Sequence, residues 1–215
     1  MRKMLFLFGI VLLASVTGFA DKEDFKFKQV PDYYRYKEQF VGLFDQWLYA
    51  DQDNISRNIS FLEYAYCVPF DNPIKALVPI TNENQYRKYQ NLLMMHICRL
   101  LTQAYIDYGY YFFQEHIQFY NHEYLKLYLD GYEIAEFYFG EARKYWNLAI
   151  GYAQQADSIK GYHLNFDIYG YHFDLEDEMY KMKTGMLDYH KVIDNLMMRL
   201  DKNRKQAEGL LNAYQ

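Results

Sequence analysis

The longest regular pattern of apolar positions in this chain runs from residue 125 to residue 156. Apolar or aromatic side chains recur there at alternating steps of three and four residues, and four of them are alanines spaced seven residues apart. The ten positions of this alanine stripe are Leu125, Tyr128, Tyr132, Ala135, Phe139, Ala142, Trp146, Ala149, Ala153 and Ala156. A mean spacing of 3.5 residues indicates a helix that packs closely along a partner helix. We predict one long helix over residues 122–157 with Asn121 as its N-cap. Its three glycines mark close approaches or mild bends or, as the alternative, a break.

A second stripe of the same period covers the C-terminal part of the chain. Its positions are Leu175, Met179, Met182, Met186, Tyr189, Ile193, Leu196, Leu200, Asn203, Ala207, Leu210 and Tyr214. We predict one last helix that is capped by Asp174 and crosses the preceding long helix at about 20°. Asn203 is the polar member of the stripe, and two interpretations stay open. It is either a buried amide that fixes the register or a solvated residue at a frayed helix end.

The remaining helices are shorter or less regular in sequence. Residues 84–119 carry two adjacent apolar stripes, which predicts a central helix that contacts more than one partner. Upstream, the spacing predicts a helix from about residue 31 to residue 49, a break at residues 51–54, and a second helix from residue 55 to residue 66.

Prolines interrupt the helical pattern between these regions. Pro69, Pro73 and Pro79 predict an extended connector, because proline lacks the backbone donor and disfavours helix in the residue before it. The connector's apolar residues are expected to pack onto the helices. They are Phe70, Ile74, Leu77 and Ile80.

Together these patterns predict an all-α fold. We expect an elongated antiparallel helical bundle, or degenerate helical-repeat hairpins, with long C-terminal helices. The predicted organisation is a signal peptide (1–20), a flexible leader (21–30), an N-terminal helical hairpin (31–67), the proline-containing connector (68–84) and a long-helix bundle (85–215).

The first twenty residues have the three-part layout of a secretory signal peptide. Arg2 and Lys3 precede an apolar run of thirteen residues from Met4 to Val16, and small residues then lead to a predicted cleavage site after Ala20. The alternative is an uncleaved membrane anchor, but a bilayer span needs about 20 apolar residues. We therefore expect a periplasmic or secreted chain with no integral membrane span after cleavage.

The amino-acid composition restricts the kinds of molecule that this chain is expected to bind. After cleavage the chain carries 21 Lys and Arg against 28 Asp and Glu, a net charge of −7, which argues against nucleic acid as a partner. Aromatic residues make up 20% of the sequence, and 25 are tyrosines, which suit half-exposed positions. Cys67 and Cys98 either form one disulfide in an oxidising compartment or remain buried thiols.

Residues 158–173 have no helical period and are punctuated by glycines. A long loop inside a domain is often functional. We predict a candidate interaction surface here, made by Tyr162, His163, Phe166, Tyr169, Tyr171 and His172.

Motifs for catalysis or cofactors are missing from the sequence. No histidine follows a glutamate at the three-residue spacing of bundle di-iron sites, and no phosphate-binding glycine loop or nucleophile elbow occurs. The densest group of possible metal ligands is Glu115, His116, His122 and Glu123, which reads more simply as polar turn residues. Two sequons, at Asn54 and Asn58, match the N-glycosylation pattern. We predict no cofactor, no metal and no enzymatic activity.

Part of the alanine stripe resembles a known repeat family. The spacings Ala135-x-x-x-Phe139-x-x-Ala142 and Ala142-x-x-x-Trp146-x-x-Ala149 resemble the second helix of tetratricopeptide repeats, over about a sixth of the chain. In the first-helix half, Asp130 and Glu133 replace the expected glycine and aromatic residue. The exported, tyrosine-rich helical chain is similar in style to spirochaetal periplasmic repeat scaffolds of the flagellar collar type. The resemblance implies a helical scaffold that binds proteins.

We therefore expect one of two functions, binding of proteins or binding of a small molecule. The first is an exported structural or adaptor protein that binds protein partners, or itself, in the periplasm or cell envelope. The alternative is a periplasmic binding protein that holds a small molecule in an aromatic pocket between helices, under the 158–173 loop.

Overall fold

The computed structural model describes residues 34–41, 52–168 and 171–214, with side chains except at 52–54, 167–168 and 171–173. This part of the chain is mostly helical, which confirms the predicted all-α class. Its helices are α1 (Lys37–Val41), α2 (Gln52–Cys67), α3 (Glu83–Phe112), α4 (Leu125–Ser158), α5 (Leu175–Thr184) and α6 (Tyr189–Ala213). The predicted signal peptide, its cleavage after Ala20 and the 21–30 leader lie outside the described residues.

Helices α3 and α4 form the antiparallel centre of the fold. The Tyr105 ring of α3 stacks on Tyr145 of α4 at 5.6 Å, while Gly109, one turn further along α3, lies against Phe139. Helix α2 packs on α3, α1 packs on α2, and α6 packs along the other side of α4. The predicted central helix with several partners is therefore confirmed.

The alanine stripe lies at the centre of this packing. All five of its alanines are buried, as are its other members except the half-buried Tyr128. Helix α4 is unbroken over its 34 residues, so the alternative of a break is wrong. The prediction that glycines mark close approaches of the backbone holds at Gly131. An added Cβ there would lie 2.9 Å from the Phe112 carbonyl oxygen. Gly140 and Gly151 have open space at the same position.

The start of α4 differs from the prediction. A 3₁₀ turn over Phe119–Tyr124 precedes the helix, which begins at Leu125. The Asn121 side chain accepts the backbone N–H of Gln118 at 2.9 Å, so it closes the 3₁₀ turn instead of capping α4. The prediction of Asn121 as the α4 N-cap is wrong because its amide is already used one turn earlier.

The predicted last helix is two helices. Asp174 caps the first of them, α5, by accepting the backbone N–H of Asp177 at 2.8 Å, as predicted. Helix α5 ends at Gly185, whose φ of +74° lies in the left-handed region that glycine adopts without strain. Helix α6 then starts anew, because Asp188 accepts the N–H of His190 at 3.0 Å.

The N-terminal helix boundaries also shift. Residues 34–36 are not helical, and α1 begins at Lys37, where the Gln39 side chain accepts the N–H groups of Arg35 and Tyr36 at 2.8 and 3.1 Å. The prediction that the first helix starts near residue 31 is therefore wrong, because residues 34–36 are not helical. Helix α2 already includes residues 52–54, where a break was predicted.

The connector is irregular from residue 68 to residue 82 apart from one 3₁₀ turn, Pro73–Lys75. Phe70, Leu77 and Ile80 pack against the core as predicted. Ile74 does not: it sits within the 3₁₀ turn and is 92% exposed.

The 158–173 region contains a short antiparallel hairpin that the pattern did not predict. Strand β1 (Phe166–Ile168) pairs with β2 (Tyr171–Phe173), with Phe166 opposite Phe173. Three residues per strand are too few to show a period of two in the sequence.

Candidate functional site

The structure describes the side chains of three of the six residues predicted to form an interaction surface, and these three differ in exposure. Tyr162 is half-buried and His163 is exposed, whereas Phe166 is fully buried and its ring stacks on Tyr89 at 5.6 Å. Phe166 is therefore a core residue, and its assignment to a binding surface is wrong. Tyr169 and the side chains of Tyr171 and His172 lie outside the described residues.

A buried ion pair fastens this loop to α3. The Lys88 ammonium lies 2.7 Å from the Glu176 carboxylate and donates to the Tyr162 carbonyl oxygen at 2.6 Å. Glu176 also accepts the backbone N–H of Leu164 at 3.3 Å. These contacts tie the start of the loop to both α3 and α5.

Exposed apolar side chains concentrate at another place, the closed end of the α3–α4 hairpin. In the described part of the chain fourteen large apolar residues are exposed, and eight of them lie between residues 110 and 137. We call these eight the tip surface: Tyr110, Tyr111, Phe119, Tyr120, Tyr124, Leu127, Ile134 and Phe137. Scattered exposed apolar residues are normal, but a concentration of them is typical of a binding surface.

The α4 members of the tip surface have a sequence signal that was overlooked. Leu127, Ile134 and Phe137 recur at helical spacing, yet none belongs to the alanine stripe. Helix α6 covers a different face of α4, where Arg204 donates to Glu136 at 2.5 Å and Arg143 to Asp194 at 2.6 Å. Large apolar residues that lie outside the alanine stripe therefore indicate a second apolar face of α4, which α6 does not cover.

A series of aromatic ring contacts, one edge-on and two stacked, connects the tip surface to the core. The Tyr111 ring contacts Phe112 at 5.1 Å, Phe112 contacts Tyr138 at 5.9 Å, and Tyr138 contacts the buried Tyr105 at 6.0 Å. The exposed Phe137 also meets Tyr138 edge-on at 5.3 Å. Aromatic pairs at these separations contribute a favourable interaction energy in addition to the burial of their surface. These contacts therefore hold the rings beneath the tip surface in place.

Helix α6 shapes the turn that carries the tip surface. The Asn203 amide donates to the carbonyl oxygens of Gln114 and Glu115 at 3.1 and 2.7 Å, and Gln206 donates to that of Ile117 at 3.3 Å. Asn203 is 9% exposed, so the solvated interpretation is wrong. The buried interpretation holds, with the amide binding the α3–α4 turn.

The hairpin tip is strongly acidic. Between Arg99 and Arg143 the chain has seven Asp and Glu residues and a single basic residue, Lys126. Glu115 and Glu136 pair with Arg199 and Arg204 of α6. The exposed Asp130 and Glu133 have no ion-pair partner in the described part of the chain, and they flank the apolar residues of α4.

Buried titratable groups elsewhere are committed to internal contacts. Glu63 accepts hydrogen bonds from the Tyr105 and Tyr145 hydroxyls at 2.5 and 3.3 Å. Burial raises the pKa of Glu63, and the two phenol donors only partly offset this. These side chains satisfy one another inside the core.

A second buried group joins α5 to α3. Glu178 lies 2.9 Å from His96 Nδ1 and 2.9 Å from Arg99 Nε. Burial alone would raise the pKa of Glu178, but its interactions with His96 and Arg99 outweigh burial and lower the pKa. The carboxylate therefore joins α5 to two side chains of α3.

The possible metal ligands are not brought together. Within residues 34–41, 52–168 and 171–214, no group of three or more His, Cys, Asp or Glu side chains is arranged to hold a metal ion. Glu115 instead pairs with Arg199 and lines a cleft of about 320 Å³ between the turn and α6. The cleft is lined by Glu115, His116, Ile117, Gln118, Arg199, Lys202, Asn203 and Gln206.

The two cysteines are free thiols in this structure, so the disulfide alternative is not supported. Cys67 is exposed at the end of α2, whereas Cys98 is buried in α3. Burial raises the pKa of Cys98 to about 12, which keeps this thiol protonated and unreactive.

Asn58 of the second sequon is not a glycosylation site in the folded chain. Its side chain is 1% exposed, and neither of its polar atoms has a hydrogen-bond partner in the described structure. Glycosylation needs a surface asparagine. The side chain of Asn54 lies outside the described residues.

Replacing this unsatisfied amide should stabilise the protein. We expect Asn58→Leu to raise the free energy of unfolding by about 1–3 kcal/mol, because a buried polar group without partners costs its desolvation. Urea denaturation measures the change. The matched control is Asn203→Leu, which removes two hydrogen bonds and should lower stability by about 1–3 kcal/mol. A loss of stability in both variants would contradict the expectation for Asn58.

No described helix combines the length and the apolarity needed to cross a membrane. Comparison with curated proteins and with solved structures finds no match to the chain. A family model matches residues 84–210, which is more than half of the sequence and runs from the start of α3 into α6. The matched span thus includes the α3–α4 hairpin, the tip surface and the helix that shapes it. The chain belongs to the family described as a domain of unknown function, DUF8513.

Proposed function

We propose that this chain is an exported structural or adaptor protein that binds other proteins in the periplasm or cell envelope through the tip surface. The observation that carries the proposal is the concentration of eight exposed apolar residues at one end of the α3–α4 hairpin. Tyrosine and phenylalanine are enriched where proteins bind one another, because they supply a large contact area at a low cost in side-chain entropy.

The architecture supports a scaffold role. The tip surface is carried by two long helices that are packed through the alanine stripe, and its rings rest on buried ones. A rigid base lowers the entropy that binding must offset. The tetratricopeptide-like spacing of α4 agrees with this role, and the signal-peptide layout of residues 1–20 supports export.

The alternative of a small-molecule binding protein has less support. An aromatic pocket was expected under the 158–173 loop, but that loop is fastened down by Lys88 and Phe166. The cleft beside α6 lies elsewhere and is lined by polar and charged side chains, with Ile117 as its apolar member. Small-molecule sites are usually lined mostly by apolar residues.

Site-specific photocrosslinking in the native cell tests the proposal. A benzophenone amino acid replaces Tyr111, which is 53% exposed on the tip surface, or Tyr180, which is 54% exposed on α5. We expect a defined protein adduct from position 111 that is absent from position 180 and lost when Phe137→Ser is added. Equal adducts from both positions, or none from position 111, would contradict the proposal.

A further inference from the structure

The cleft of about 320 Å³ between the α3–α4 turn and α6 lies outside the tip surface. Its α6 wall consists of Arg199, Lys202, Asn203 and Gln206, whose spacing places them on one face of the helix. Residues 115–118 form the opposite wall. The volume is at the lower end of the range for ligand sites, so the cleft can hold one small molecule or one group of a larger partner.

Direct bonds between the two walls fix the shape of the cleft. The buried Asn203 amide donates to the Glu115 carbonyl oxygen at 2.7 Å, and Gln206 donates to that of Ile117 at 3.3 Å. The walls are therefore held in place before a ligand arrives, which lowers the entropy cost of binding.

The lining of the cleft carries more positive than negative charge. Arg199 and Lys202 are cationic, and Glu115 is the acidic residue among those that line it. Glu115 pairs with Arg199, whereas Lys202 has no ion-pair partner in the part of the chain that the structure describes. Because Lys202 lies one turn from Arg199 on the same face of α6, its ammonium group is left over for a ligand.

Further hydrogen-bond donors are available beside Lys202. The guanidinium of Arg199 has five N–H groups, so its pair with Glu115 leaves some of them for a ligand. The ring of His116 is exposed on the opposite wall, and within the described residues it has neither a hydrogen bond nor an ion pair. Ammonium, guanidinium and imidazole N–H groups are the donors that bind carboxylates and phosphates in proteins.

We propose that this cleft binds an oxyanion, a carboxylate or phosphate group, through Lys202, Arg199 and His116. The proposal does not rest on the proposed function, because it concerns a ligand that the purified chain binds by itself.

The lining disfavours other classes of ligand. A cation would need carboxylate oxygens, but those of Glu115 are already used by Arg199 and by the Tyr110 hydroxyl, which donates at 3.2 Å. An apolar ligand would remove water from Lys202 and Arg199 without replacing its hydrogen bonds. An oxyanion supplies acceptors for both cations.

Two opposing charge distributions set the expected affinity. The acidic hairpin tip opposes the approach of an anion, whereas α6 favours it, since residues 199–208 contain four basic and two acidic residues. We therefore expect direct contacts to decide binding, with a dissociation constant of about 1 mM for inorganic phosphate.

The oxyanion can come from two sources. One is a free small molecule, and the other is an acidic group of the protein that binds the tip surface. The position of the cleft fits the second source as well as the first. Tyr110 of the tip surface bonds to Glu115, and Phe119 and Tyr120 directly follow the cleft residue Gln118.

Nuclear magnetic resonance of the ¹⁵N-labelled chain from residue 21 tests the proposal. The protein is titrated with sodium phosphate or sodium acetate at constant ionic strength. We expect chemical-shift changes that saturate at residues 115–118 and 199–206 and stay absent from α5.

Two matched variants identify the ligand-binding lysine. Lys202→Gln should weaken phosphate binding at least about tenfold, because it removes a charge-assisted hydrogen bond. Lys191→Gln removes an exposed lysine of the same helix that does not line the cleft, so it should leave the affinity unchanged. Circular dichroism checks that both variants are folded.

Three results would overturn the inference: shifts that do not saturate, shifts of equal size around lysines outside the cleft, or unchanged binding by Lys202→Gln. Lys202→Glu in the photocrosslinking experiment then distinguishes the sources. Loss of the adduct from position 111 assigns the oxyanion to the protein partner, and an unchanged adduct assigns it to a free molecule. The absence of any adduct from position 111 contradicts the proposed function but does not alter the titration.

Discussion

Lys88→Met should lower the free energy of unfolding by about 3–5 kcal/mol, the range found when one partner of a buried ion pair is removed. The Lys88 side chain is 6% exposed and that of Glu176 is 10% exposed, so the carboxylate that loses its partner has little access to water. The variant also removes the donor to the Tyr162 carbonyl oxygen. Urea denaturation followed by circular dichroism measures the loss.

The double variant Lys88→Met, Glu176→Leu is the control for this effect. Once both charges are replaced by apolar groups, most of the lost stability should return, because no charge is then left buried. The loop that carries Tyr162 should also become more susceptible to protease in the single variant than in the double one. A single variant within about 1 kcal/mol of the parent would show that the pair is solvated and does not hold the loop.

Phe139→Ala should cost about 3–5 kcal/mol, and Phe137→Ala, two positions away on the same helix, less than about 1 kcal/mol. Phe139 is fully buried against Gly109, whereas Phe137 is 43% exposed. The same atoms are deleted from the same helix, so the difference isolates burial. Denaturation midpoints with equal slopes measure it.

This pair of variants also separates stability from binding. We expect the stable Phe137→Ala protein to lose the crosslink from position 111, and a Phe139→Ala protein that remains folded to keep it. Equal losses of stability in the two variants would mean that the tip surface is part of the core, which would remove the basis of the proposed function.

The alanine stripe was predictable because it has one physical cause, the contact between two helices. This contact requires an apolar residue at every third or fourth position of α4. The break at Gly185 was missed for a related reason. Met182, Met186 and Tyr189 keep the three-and-four spacing on both sides of the break, so the apolar pattern continues across it. Only the turn chemistry distinguishes the two helices, through a left-handed glycine and the capping carboxylate of Asp188.

The tip surface was harder to predict than the fold. In a chain with 25 tyrosines, aromatic residues occur both in the core and on the surface, and their exposure depends on which helix covers them. Tyr105 and Tyr111 are six residues apart on α3, yet one is 2% exposed and the other 53%. The predicted surface at residues 162–172 failed at Phe166 because the Tyr89 ring lies beneath it, a contact between residues 77 positions apart.

The bonds from Asn203 to the α3–α4 turn join residues that lie almost ninety positions apart. During synthesis, α3 and α4 therefore emerge well before the amide that fixes the turn between them. Contacts of such long sequence separation form late in folding. A partner that requires the finished tip surface would thus bind only chains whose C-terminal helix has been made and docked, and it would not bind truncated chains.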